Sequence, residues 1–293
     1  MELETINGIK NIDLDSVSLK DVSNIISEMS VDAGFNDNAK TILYSGKING
    51  YKTGDIAKSL DNVRIIDNTD VGKFLSGNKF DELLEAAITN DIKNCTLDVS
   101  LIEKALDDNQ LKDLKKYLDA YNDLSQEQLI KAVQIASDGY KYEPTKGAWA
   151  IASEQFIKET PVGSEIICLT AEADLTRTWA QVEIPTALKH LPDKQVFGGY
   201  TIAELKSVYN SNGIESVQNL LKNKAIDITQ NVKVHYGTNG KVVGMDASNL
   251  INGTSYVKPS ESVFETTMGD IRNYISDAEI SKLFPDVDFE KLS

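Results

Sequence analysis

The chain has 293 residues and a formal net charge of −15. That balance argues against a nucleic-acid surface, which needs a basic patch to neutralise phosphates. At 41% hydrophobic the chain can bury an ordinary core, and two cysteines, Cys95 and Cys168, cannot form a disulfide framework.

The N-terminus is polar and acidic, with no signal-peptide pattern, and no apolar run is long enough to span a bilayer. Residues 1–38 read as a helical extension. Ser18 to Asp21 can cap a short helix carrying Val22, Ile25, Ile26 and Met29, and Gly34 to Asn38 reads as a linker. Residues 41–45 form a short apolar strand, followed by a glycine-punctuated loop to Gly54 and a turn or two of helix at 55–60. A second strand, 63–66, runs into Asp67-Asn68-Thr69-Asp70, with a helix from Gly72. Both strands end in polar tips. In open α/β sheets ligands sit beyond the carboxyl ends of strands, so both tips are expected to line one cleft.

Residues 79–139 are helical by period, with a break near residues 107–109 and a capping box at Ser125 to Gln128. Residues 138–146 then read as a loop. Trp149, Ser153 and Phe156 lie on one amphipathic helix that Pro161 and Gly163 stop. The apolar run 165–170 is a buried-strand signature, and 171–176 is a polar loop. The segment from Arg177 to Pro185 alternates, and it predicts a strand with Trp179, Gln181 and Glu183 on one face. A carboxylate between Val182 and Ile184 is expected to face a cleft. Further on, Val196-Phe197 predicts a strand, Thr201 to Glu204 a capped helix, residues 232–244 a hairpin, and Ser276 to Glu279 a last capping box. The fold expected is α/β: a helical layer from residues 75–140 and a small, mostly parallel sheet flanked by helices.

The chemistry narrows by elimination. His190 and His235 are far apart without metal-ligand spacing, and there is no G-x-S-x-G elbow, G-x-G-x-x-G or phosphate-binding P-loop. Carboxylates and aromatics at strand ends remain. In four separated segments, in order, the chain resembles the ADP-ribosyl cyclase/NAD glycohydrolase family. Leu43-Tyr44-Ser45-Gly46 is similar to the family's Leu-Trp-Ser segment. Ile66-Asp67-Asn68-Thr69 with Gly72 is similar to its Leu-Glu-Asp-Thr and following Gly. Trp149, Ser153 and Phe156 match its Phe-Trp-Lys-x-x-Ser and following Phe. Thr178-Trp179-Ala180-Gln181-Val182-Glu183 is similar to its Thr-Phe-x-x-Val-Glu segment.

The resemblance covers roughly residues 39–236. It implies a catalytic domain at 39–240 and a C-terminal extension at 241–293. By this resemblance Glu183 is the catalytic glutamate that stabilises cationic charge at the anomeric carbon. Trp149 stacks on the nicotinamide ring, and Asp67 takes the place of an acid that contacts the nicotinamide amide. Asp67 is shorter than the family's glutamate, which bears on the balance of hydrolysis and cyclisation. Tyr44 replaces a tryptophan, and Ser45 follows it at the strand tip. Ser153 and Thr178 position ribose or diphosphate. Arg177 and Lys47 are diphosphate candidates by charge and position. The expected activity is cleavage of NAD+ or NADP+ as substrate, with no other cofactor. The scarcity of cysteine is similar to bacterial toxin-domain members, which implies a secreted effector acting in a target-cell cytosol and a neutralising immunity partner. An ADP-ribosyltransferase acting on a macromolecule, or an inactive nucleotide-binding module, are the alternatives.

Overall fold

The computed structural model describes residues 2–3, 12–32, 39–48, 51–58, 60, 62–229, 233–237, 242–246 and 263–267. In chain order its strands are β1 (Glu2–Leu3), β2 (Ile12–Asp13), β3 (Lys40–Tyr44), β4 (Lys47–Ile48), β5 (Tyr51–Lys52), β6 (Val63–Arg64), β7 (Ile166–Leu169), β8 (Val196–Phe197), β9 (Tyr200–Thr201), β10 (Lys233–Gly237), β11 (Val242–Asp246) and β12 (Val263–Thr267). The α-helices are α1 (Leu19–Glu28), α2 (Thr53–Lys58), α3 (Asp70–Leu75), α4 (Asn78–Lys93), α5 (Asp108–Asp119), α6 (Gln126–Tyr142), α7 (Ala148–Lys158), α8 (Ile184–His190), α9 (Ile202–Asn212) and α10 (Ile214–Thr229).

The central sheet has the order β6-β3-β7-β8-β9. β6, β3, β7 and β8 are mutually parallel, and β9 closes the edge antiparallel to β8. A parallel strand covered on both faces reads as a continuous apolar run. β7 does so: Ile166, Ile167, Cys168 and Leu169 are all buried. It pairs with β3 from Thr41↔Ile166 to Tyr44↔Leu169, which brings the two strand tips side by side. Gly198 and Gly199 turn β8 into β9 with φ of +57° and +86°, the double positive φ that a two-residue hairpin of matching twist demands. The mixed α/β architecture with its small, mostly parallel sheet matches the class expected from sequence.

The helical layer comes from α4, α5 and α6, with α4 and α5 each packed on α6. Capping boxes open α1 at Ser18, α6 at Ser125 and α9 at Thr201, as their sequences predict. A further box at Asp107 and Gln110 opens α5 and accounts for the break there. α1 joins the main core: Leu19, Val22, Ile25 and Ile26 are buried against α4 and α7. Asp91 of α4 accepts from the Leu19 amide at 2.9 Å, and the Asn90 amide donates to the Leu14 and Val17 carbonyls at 3.0 Å each.

Two expectations give way. Residues 138–142 continue α6 instead of forming a loop. The segment before Pro185 is no strand: residues 179–183 form a π-helical turn that runs straight into α8. Proline at the start of α8 lacks an N–H, and in a regular helix its ring would meet the carbonyl four residues back, at Gln181. A widened turn at 179–183 accommodates it. The alternation that imitates a strand is one of residue type alone: Glu183 is buried along with Trp179, Ala180, Val182 and Ile184, and only Gln181 is exposed. The hairpin expected at 232–244 is present as β10 and β11, antiparallel, with β12 paired to the other side of β10. The linker at 34–38 and the Ser276 capping box lie outside the described residues.

Candidate functional site

A cleft of about 400 Å³ opens beyond the carboxyl ends of β3 and β6, the two polar strand tips expected to share one. Its wall includes Tyr44, Ser45, Asp67, Trp149, Ser153, Arg177, Thr178 and Glu183. These are eight of the nine residues singled out from the sequence, drawn from four segments far apart in the chain. Lys47 does not line it. It lies exposed on β4, and the lysine on that wall is Lys58, at the end of α2.

Each wall has a local cause. Tyr44 ends β3, and α2 packs on that strand, with Gly54 so close that a Cβ there would sit 3.2 Å from the Tyr44 ring. Beyond it the chain turns at Gly46 (φ +76°), where a Cβ would come within 2.9 Å of the Glu172 carbonyl. The tips of β3 and β7 are therefore in backbone contact.

Asp67 sits in a single 3₁₀ turn, Ile66–Asn68, after β6. The Thr69 hydroxyl ties that turn to α3, donating to the Ile66 carbonyl at 2.6 Å and accepting from the Gly72 amide at 3.0 Å. A Cβ on Gly72 would fall 1.9 Å from the Ile66 oxygen, so only glycine fits. The Ile-Asp-Asn-Thr-x-x-Gly spacing is what the hydrogen bonds and close approach of this turn require. One Asp67 oxygen pairs with the Lys58 ammonium at 2.7 Å, and the other is buried without a partner. Burial pushes the Asp67 carboxyl above the usual carboxylate range.

Trp149 and Ser153 lie one turn apart on α7, Trp149 half-buried at the cleft wall and Ser153 buried. The start of α7 is held by Glu143, whose buried carboxylate accepts from the Thr145 amide (2.8 Å), the Thr145 hydroxyl (2.7 Å) and the Gly147 amide (3.1 Å), and from the Lys146 amide. These amides lead into α7, and a negative charge near a helix N-terminus is well placed.

Glu183 closes the floor. The π turn aims it inward, 8% exposed, beside the Ser153 hydroxyl, and its Oε2 is buried without a partner. Burial pushes its carboxyl up to about 7, against the opposing effect of the Ser153 hydrogen bond. Beneath it the Cys168 thiol of β7 is also pushed up by burial, with Trp179 beside it and the Glu183 charge adding to the effect. Such π turns recur at functional sites. Arg177 and Thr178 come from the end of the 171–178 loop, which Asp174 organises by accepting from the Thr176 amide and hydroxyl at 2.9 Å each.

Sequence reasoning missed Lys58, Ser76 and Tyr142 in this wall. Lys58 reads as an ordinary cation in a last helical turn, and Tyr142 reads as loop. Among the described residues no group of three His, Cys, Asp or Glu side chains converges to hold a metal, and no helix is long and apolar enough to cross a membrane. No family model, curated protein or solved structure matches the chain.

Proposed function

We propose that this protein is an NAD+ glycohydrolase: NAD+ and water give ADP-ribose, nicotinamide and a proton. The observation that carries this reading is the convergence, in one cleft, of residues chosen from four separated segments by their resemblance to the ADP-ribosyl cyclase/NAD glycohydrolase family. Cleavage of the nicotinamide–ribose bond passes through an oxocarbenium-like state. A fixed carboxylate in a dry site stabilises such a cation without reorganising. Glu183 has that character: buried beside Ser153, with Oε2 free for the ribose. The cationic nicotinamide ring finds an aromatic face in Trp149, and Tyr44 offers a second at the same cleft. Arg177, exposed at the rim, suits the diphosphate.

In this reading the chain depletes NAD+ as a toxin domain of the kind used between competing bacteria, and a neutralising partner protein accompanies it. The test is NAD+ turnover with products resolved by chromatography, on wild type and Glu183→Gln. The variant is expected to lose on the order of 100- to 1000-fold in kcat while keeping its fold. A wild type that leaves NAD+ intact at micromolar enzyme over hours overturns the reading. Label appearing on a macromolecule, with little free ADP-ribose, replaces it with transfer.

A further inference from the structure

The cleft holds one ion pair whose cation belongs to none of the four segments. Lys58 ends α2, just before β6, and its ammonium lies 2.7 Å from Oδ1 of Asp67. The Asp67 side chain is only 16% exposed, that of Lys58 53%. Oδ2 of Asp67 is buried and accepts no hydrogen bond, although an ionised carboxylate has room for about four donors. The backbone under Asp67 is fixed by Thr69 and Gly72, so its remaining freedom is rotation of the side chain.

We infer that Lys58 is a positioning residue: it fixes one oxygen of Asp67 and so presents the other, unpartnered, to an N–H or hydroxyl donor of a ligand in the cleft. The identity of that ligand as a nicotinamide nucleotide rests on the glycohydrolase reading. Lys58 acts through Asp67. Its own charge is already engaged, and its exposed part lies at the rim. The other charged or titratable groups around this cleft are Glu183 on the π turn, Arg177 at the end of the 171–178 loop, Tyr44 at the tip of β3 and Tyr142 at the end of α6. Of these only Arg177 is a cation, and it forms no ion pair with Asp67. Without the Lys58 ammonium at 2.7 Å, only a backbone hydrogen bond opposes the effect of burial on Asp67, and its carboxyl takes up a proton more readily as pH falls.

The experiment is steady-state NAD+ kinetics from pH 5.5 to pH 8.5 on wild type, Lys58→Met, Lys58→Arg, Asp67→Asn and the double variant. Lys58→Met is expected to raise KM about fivefold across this range, and more at its acidic end, with a smaller effect on kcat. Lys58→Arg should restore the wild-type profile, and Lys58→Met should add nothing once Asp67→Asn is present. An unchanged KM in Lys58→Met, or an increase that persists in the Asp67→Asn background, overturns the inference. Carboxyl-carbon NMR of Asp67 in the ligand-free protein decides the pair without any turnover. Its titration is expected to move up in Lys58→Met, and an unchanged titration also overturns the inference. A wild type inert towards NAD+ defeats the glycohydrolase reading, and the NMR titration then still decides the role of Lys58.

Discussion

Glu183 is a carboxyl group held in conflict with its surroundings, and the sign of that conflict is measurable. In an unfolded chain it titrates near 4.5, and in the fold near 7. Below pH 4.5 both states carry the proton, and burial costs little. Between the two values the unfolded state gives up its proton first, so stability falls as pH rises, and above about 7 the loss is complete. The difference corresponds to about 3 kcal/mol. Glu183→Gln is neutral throughout, so its urea stability is expected to exceed that of wild type by up to ~3 kcal/mol at pH 8 and to match it at pH 4. Equal gains at both pH values would count against a buried, titrating Glu183. Wild-type kcat/KM should fall as pH drops through about 7, because only the ionised carboxylate stabilises the cation. The identity of this residue was legible in the sequence from its apolar neighbours. Its burial at the floor was not, because that depends on Ser153 and Cys168, which reach it only through the tertiary fold.

At the scale of elements, α7 depends on what precedes it. The Glu143 carboxylate satisfies the amides of Thr145, Lys146 and Gly147 from a fully buried position. Glu143→Ala orphans those donors and is expected to cost about 3 kcal/mol, read from urea unfolding. Because α7 carries Trp149 and Ser153, the same variant should also raise KM. An unchanged midpoint would show that water replaces the carboxylate. Caps of this kind split into legible and illegible cases. Ser18, Ser125 and Thr201 cap by contacts three residues along, which sequence spacing displays. Glu143 works from the end of one helix onto the start of the next, and no local pattern marks it. The π turn misleads for a related reason. Its polar and apolar residue types alternate from Ala180 to Ile184 although only Gln181 among them is exposed, and Pro185, a strand terminator by sequence, starts a helix instead.

Across the whole molecule one apolar core runs from Val17 on the N-terminal side of α1 to Leu221 in α10. The helix face of α1 was readable as period 3.6, but its partners, Asn90, Asp91 and Tyr140, lie far along the chain, so its place in the core was not. Ile26 has no exposed surface. Ile26→Ala is expected to cost ~3 kcal/mol, within the usual span for a buried isoleucine. Far-UV circular dichroism and intrinsic fluorescence should show the loss at the same midpoint. Separate midpoints would mean that α1 unfolds apart from the rest. Intrinsic fluorescence has a particular meaning here. The chain contains two tryptophans, and both Trp149 and Trp179 stand in the wall of the same cleft. One is half in solvent and the other is sealed, 1% exposed. Indole emission from this protein therefore originates entirely at the cleft, with a red, quencher-accessible component from Trp149 and a blue, shielded one from Trp179. The molecule carries its own optical gauge of what enters there, with no label attached.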